Sequence, residues 1–324
     1  MRARSSMSRA TAVWSMVSTC GLLPLPYTTG AMALGLVFVC LAAVSWGTTG
    51  SVMALLARDG HPSPLLVGWA RVAGASPCLL LAAALFRPAG PAAWGPRDAA
   101  LTVALGVAMA AYQVCYFWAV IRVGVALTAL LAICSAPLMI AIGAALVLRE
   151  RLTARARLAL VLAVVGTVMI VAGPRDLGRA PDGFALGAAG ALGAGLSYAV
   201  YAVIAKGLLA RVPPLPLAAL TFTLAAALLT PVLLVERDAG AQLAAGWTLL
   251  LYLGVVPTAL AYALFSAGLQ RVPATTAGIA TLLEPLTASI LGVLLFGERL
   301  GGWGWVGGAL LLAALVLLGR AERE

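Results

Sequence analysis

Ten apolar runs, each about the length a helix needs to cross the roughly 30 Å hydrocarbon core of a bilayer, follow one another along this 324-residue chain. They lie at about 33–56, 64–86, 99–121, 125–148 and 157–173, and then at about 184–205, 215–235, 247–269, 274–296 and 303–319. Charged or Pro/Gly-rich breaks separate them, as at RPAGPAAWGPRD (87–98), RERLTARAR (149–157) and GPRDLGRAPDG (173–183). With 63% hydrophobic and 10% charged residues there is too little polar surface to cover a soluble globule. The expectation is an all-α integral membrane protein of ten transmembrane helices.

A second feature subdivides the ten. Shifting the chain by 148 residues aligns 117–152 with 265–300 without a gap. Phe117, Pro137, Leu138 and the run Glu150-Arg151-Leu152 then meet Phe265, Pro285, Leu286 and Glu298-Arg299-Leu300. Each unit has five helices, an odd number, so the second enters the membrane from the opposite side to the first. The domains expected are repeat 1 over 33–173 and repeat 2 over 184–320. Residues 1–32 stand outside them as an N-terminal extension. MRARSSMSR followed by an apolar run is open to three readings: a dispensable extension, a start assigned upstream of Met32, or a cleaved signal.

Net charge of +10 would suggest nucleic acid in a soluble chain, but here the arginines sit between apolar runs. With both termini inside, fourteen Lys and Arg outside the helices fall on the cytoplasmic side and six on the external side. That asymmetry favours this orientation in a bacterial inner membrane, with lipid and no nucleic acid as partner. The five cysteines are isolated and have no CxxC spacing, and His61 is the single histidine. No HExxH, no Ser/His arrangement and no phosphate-binding glycine loop followed by Lys occurs, so no cofactor, metal or enzymatic chemistry is expected.

Duplicated P-x(12)-E-R-L in a ten-helix chain, here Pro137 to Glu150-Arg151-Leu152 and Pro285 to Glu298-Arg299-Leu300, resembles the EamA-type transporters of the drug/metabolite transporter superfamily. The resemblance covers about residues 33–320. It implies a central cavity between the repeats, both termini in the cytoplasm, and export of metabolites such as amino acids in many members. Drug efflux and metabolite uptake are the alternative transport readings. A non-transporting scaffold and an integral-membrane enzyme are the alternatives outside transport.

Several residues stand out as candidates for a substrate pathway. Glu284 lies about ten residues, roughly 15 Å, into its helix, where an ionised carboxylate costs about 2.5–3.5 kcal/mol on insertion scales. It should face a polar cavity, have a partner, or be protonated. Arg71 lies inside the second helix and either snorkels to the headgroups or faces the cavity. In the latter case Arg71 and Glu284 offer opposite charges to a zwitterion. Trp46, Tyr112, Tyr116, Tyr198 and Tyr262 lie in or near mid-helix. Pro137, Pro257 and Pro285 each remove one intrahelical hydrogen bond and are candidate kinks around a cavity. Glu150, Arg151, Glu298 and Arg299 read as structural anchors at helix ends. Proton coupling through Glu284, movement down the substrate gradient, and a monomeric or homodimeric state all stay open.

Overall fold

The computed structural model describes residues 29–58, 63–86, 94–172, 183–297 and 301–321. Residues 1–28, His61, Glu298 and Arg299, named above, lie outside these. Among the described residues the chain is helical and has no strand. The helices are α1 (Thr29–Arg58), α2 (Pro64–Leu85), α3 (Pro96–Gly124), α4 (Leu127–Leu148) and α5 (Ala154–Ala172). Repeat 2 supplies α6 (Phe184–Leu208), α7 (Pro214–Val235), α8 (Trp247–Arg271), α9 (Ala274–Phe296) and α10 (Gly302–Ala321). Eight of these, all but α5 and α10, are long and apolar enough among the described residues to cross a membrane.

Prolines mark several helix starts. Pro64, Pro96 and Pro214 occupy the first turn, where the missing N–H has no partner to lose. Ser63 Oγ accepts from Leu66 N at 3.2 Å, and Asp98 Oδ2 accepts from Gly95 N at 3.2 Å, closing the entries to α2 and α3. The weak break expected at Arg122 is weaker still, because α3 runs almost directly into α4. Gly124 alone leaves helical geometry, at φ 79°, a value that glycine adopts without steric cost. At the other end of the chain, α1 begins at Thr29, four residues before the expected start of repeat 1.

Packing follows a two-fold pattern. The α3–α4 hairpin grips α6 of the other repeat, and the α8–α9 hairpin grips α1 in the same way. The equivalent helices α2 and α7 pair with each other, as do α5 and α10. Two groups result, α3–α4–α6 and α1–α8–α9, each mixing the repeats. Outward-facing positions such as Leu81, Val161 and Leu294 are exposed and apolar, suited to lipid. Their buried counterparts form one main core, from Val39 and Trp46 through Tyr201 and Phe222 to Phe265.

Small residues allow backbones to meet where the groups need it. A Cβ on Gly254 would lie 3.1 Å from Gly74 Cα, so α2 and α8 touch backbone to backbone. A Cβ on Gly47 would lie 2.7 Å from Glu284 O, which seats α1 on α9. Gly187, Gly190, Gly193 and Gly195 face Val123, Trp118, Cys115 and Ser135 and bring α6 against α3 and α4. Because neither backbone can yield, Gly254→Val is expected to cost about 1–3 kcal/mol, the usual penalty of overpacking. Thermal unfolding in detergent checks this; an unchanged midpoint would show that α2 and α8 can separate freely.

Candidate functional site

The site begins with a proline. Pro257 has no N–H to offer Leu253 O four residues back, and Val255–Leu260 relaxes into a π-helical turn. Thr258 Oγ1 takes over that acceptor, donating to Leu253 O at 2.7 Å. Its remaining lone pairs face α2, where Arg71 Nε donates to Thr258 Oγ1 at 3.2 Å. The Gly74–Gly254 contact, one turn away on each helix, brings the two side chains within reach. Arg71 therefore points inward, 6% exposed, rather than toward the headgroups.

A second proline shapes the opposite charge. The ring of Pro285 is incompatible with a straight helix at the carbonyl four residues earlier, which belongs to Thr281. The helix α9 breaks there, between Ala274–Ala280 and Leu283–Phe296. Glu284 consequently sits in the first turn of a half-helix, where the dipole favours a negative charge. Its backbone N donates to Thr281 O at 3.0 Å across the break. Glu284 is half-buried. It lies within electrostatic reach of Arg71, Tyr112, Tyr116, Tyr198 and Tyr262.

Five aromatics from four helices join into one chain across the two helix groups. Tyr116 stacks on Tyr112 at 5.7 Å, Tyr112 meets Tyr198 at 6.1 Å, Tyr198 meets Trp46 at 6.1 Å, and Trp46 meets Tyr262 at 4.9 Å. Phe265, Tyr201 and Phe222 extend it. Tyr112 and Tyr116 retain intermediate exposure, whereas Tyr201, Phe222 and Phe265 are buried, so the chain runs from a half-open part of the bundle into a closed one. Trp46 Nε1 and Tyr198 OH, both in this chain, are buried without a protein hydrogen-bond partner, as are Ser45 Oγ, Thr49 Oγ1, Trp69 Nε1, Gln113 Oε1 and Thr221 Oγ1. Each such atom costs about 1–3 kcal/mol unless a polar guest meets it.

Not every candidate joins this cluster. Pro137 lies in α4, whose helix continues past it to Gly143 before a π-helical turn at Ala144–Leu148. Glu150 points elsewhere too. Instead of opposing the dipole of its own helix beside Arg151, it accepts from Ala274 N at 2.7 Å and from Thr275 N at 3.1 Å, at the start of α9. Thr258 was not singled out by sequence, although a hydroxyl directly after a mid-helix proline was the available signal. Among the described residues no group of three or more His, Cys, Asp or Glu gathers where a metal could be held.

Removing the Thr258 hydroxyl strands both Leu253 O and the Arg71 guanidinium. Thr258→Val should therefore destabilise the protein by about 1–3 kcal/mol, and Thr258→Ser should recover most of that loss. Equal melting points for all three proteins would remove Thr258 from the role described.

Known proteins share both the sequence and the fold. An uncharacterized transporter of Bacillus subtilis, YwfM, is 35% identical over 294 residues, covering 89% of this chain and 94% of the relative. An uncharacterized transporter of Archaeoglobus fulgidus is 32% identical over 171 residues, 53% of this chain and 59% of that protein. A crystal structure 22% identical in sequence superposes with a TM-score of 0.73, covering 91% of this chain and 98% of the other, and at that identity attests the fold alone. Residues 33–172 and 185–320, the two halves marked by the internal repeat, each match the EamA-like transporter family, and the chain belongs to that family.

Proposed function

We propose that this chain exports a small zwitterionic metabolite, such as an amino acid or a related compound, by alternating access between its two repeats. The observation that carries this reading is the placement of Arg71, from repeat 1 and bonded to Thr258, within electrostatic reach of Glu284, from repeat 2, beside a chain of touching aromatic rings. A guanidinium suits a carboxylate or another oxyanion, and a carboxylate at a half-helix start suits an ammonium group. Trp46 and Tyr198 supply apolar walls with polar edges that a guest could satisfy. Tyr112, Tyr116 and Tyr262 complete the pathway, and Pro257 and Pro285 shape its two charged walls.

In this reading α5 and α10 also cross the bilayer, giving ten spans, both termini cytoplasmic and the inner membrane as the location. The positive-inside count supports that orientation, since Arg149, Arg151, Arg155 and Arg157 cluster at one end of the bundle. Family membership and the charge pattern of the site support transport of a metabolite; direction is the part that experiment decides.

Cells expressing this chain at membrane levels matched to those of its Glu284→Gln and Arg71→Gln forms would be compared by untargeted profiling of intracellular and extracellular metabolites. A compound bearing both an amine and an acid group, enriched outside only with the intact protein, is expected. Either substitution should lower its flux by about tenfold or more, the loss expected for a hydrogen bond to a charged group. Accumulation inside would reverse the direction, and a substrate lacking one of the two charges would overturn the zwitterion reading.

A further inference from the structure

A second group of charged contacts lies away from the candidate cleft, at the turn between α8 and α9. Lys206, in the last turn of α6 and 8% exposed, donates to Leu269 O at 2.7 Å, Gln270 O at 3.3 Å and Val272 O at 2.6 Å. An ammonium group has three hydrogens, and the last carbonyls of a helix have no partner within it. Glu150, just beyond α4, answers from the other side of the same turn. It accepts from Ala274 N at 2.7 Å, Thr275 N at 3.1 Å and Thr275 Oγ1 at 3.1 Å. One turn of chain thus has its α8 carbonyl end held by a cation and its α9 amide end held by an anion, each sign matching the local dipole.

What makes this more than a pair of caps is which bodies it joins. Glu150 and Lys206 belong to the α3–α4–α6 group, and the turn belongs to the α1–α8–α9 group. The candidate cleft lies along the same division, with Tyr112, Tyr116 and Tyr198 on one side and Trp46, Thr258, Tyr262 and Glu284 on the other. Gln270 Nε2, which donates to Leu209 O at 2.9 Å, adds a further bond across the seam at this end. Beneath it Leu208, Leu269, Val272 and Ala274 are all buried. Any opening of the cleft toward this end must part the two groups here.

We propose that Glu150 and Lys206 form a latch on the α8–α9 turn that holds this end of the bundle shut, and that its release is a required step in exposing the cleft to the cytoplasm. The inference rests on the alternating-access reading but not on the identity of the substrate. Both residues are positioning residues that act on access and have no place in contacting cargo.

The test is accessibility, read without substrate. Ser266, 2% exposed on α8 within the seam, is replaced by cysteine in a full-length chain whose native cysteines are serine. Labelling by a membrane-impermeant maleimide is timed in inside-out vesicles. A second reporter, Thr49→Cys on α1, is timed in intact cells. Glu150→Gln should speed labelling at Ser266→Cys by about tenfold, the worth of hydrogen bonds to a charged group, and slow it at Thr49→Cys as the population shifts. Lys206→Met should do the same, and Glu150→Asp should restore the original rates in part. Unchanged labelling at Ser266→Cys in both latch variants would overturn the proposal, as would faster labelling at both reporters, which reports general loosening. Should Glu150→Gln fail to insert, Thr275→Val, which removes one bond of the latch, gives the same readout at smaller amplitude. Labelling that responds as expected, alongside metabolite profiling that finds a substrate lacking one of the two charges, would uphold the latch and overturn the zwitterion reading, which separates the two.

Discussion

Inside a bilayer no water completes an unpaired backbone group, so every break in a helix must be repaired by protein. This constraint organises the candidate site. Pro257 frees Leu253 O, and the hydroxyl of Thr258 takes it. That hydroxyl then becomes the acceptor that holds Arg71 inside the bundle. Pro285 breaks α9 before Leu283, and the new half-helix start places Glu284 where its charge is favoured. The two charged residues are each set by the repair of a proline defect, on helices that belong to the same packed group or lean against it.

The same economy of backbone groups acts at the α8–α9 turn. The carbonyls that end α8 and the amides that begin α9 are partnered by Lys206 and Glu150. Because those side chains come from the opposite helix group, satisfying the backbone also ties the groups together. A structural need and the proposed control point coincide, and the buried inner core of Phe265, Leu269 and Val272 lies directly behind them. The P-x(12)-E-R-L motif of repeat 1 thereby reaches into repeat 2 through its glutamate.

Much of the fold was legible in the residues. Apolar runs separated by charge or proline locate the helices to within a few positions, since a span needs a minimum apolar length and a helix start tolerates proline. The gapless match between 117–152 and 265–300 divides the chain into two units, and the family match covers those same two units. Less legible were the interruptions. Thr281 and Leu282 look like any apolar stretch until the proline ring four residues beyond Thr281 is considered. Glu150 beside Arg151 suggests a local pair, whereas the chain turns its carboxylate to a helix start 124 residues later.

The sequence by itself determined that this chain is a helical membrane protein whose two halves are alike, because hydrophobic length and repeat register are one-dimensional properties. Only the tertiary structure decided which side chains meet. Whether Arg71 turns to lipid headgroups or to Thr258 depends on how closely α2 approaches α8, and that distance is set by two glycines, Gly74 and Gly254, lying 180 positions apart. Five mid-helix aromatics carry no sign in sequence of touching one another. They meet because the α3–α4 and α8–α9 hairpins each embrace a helix of the other repeat, an exchange that backbone contact, and not local pattern, enforces.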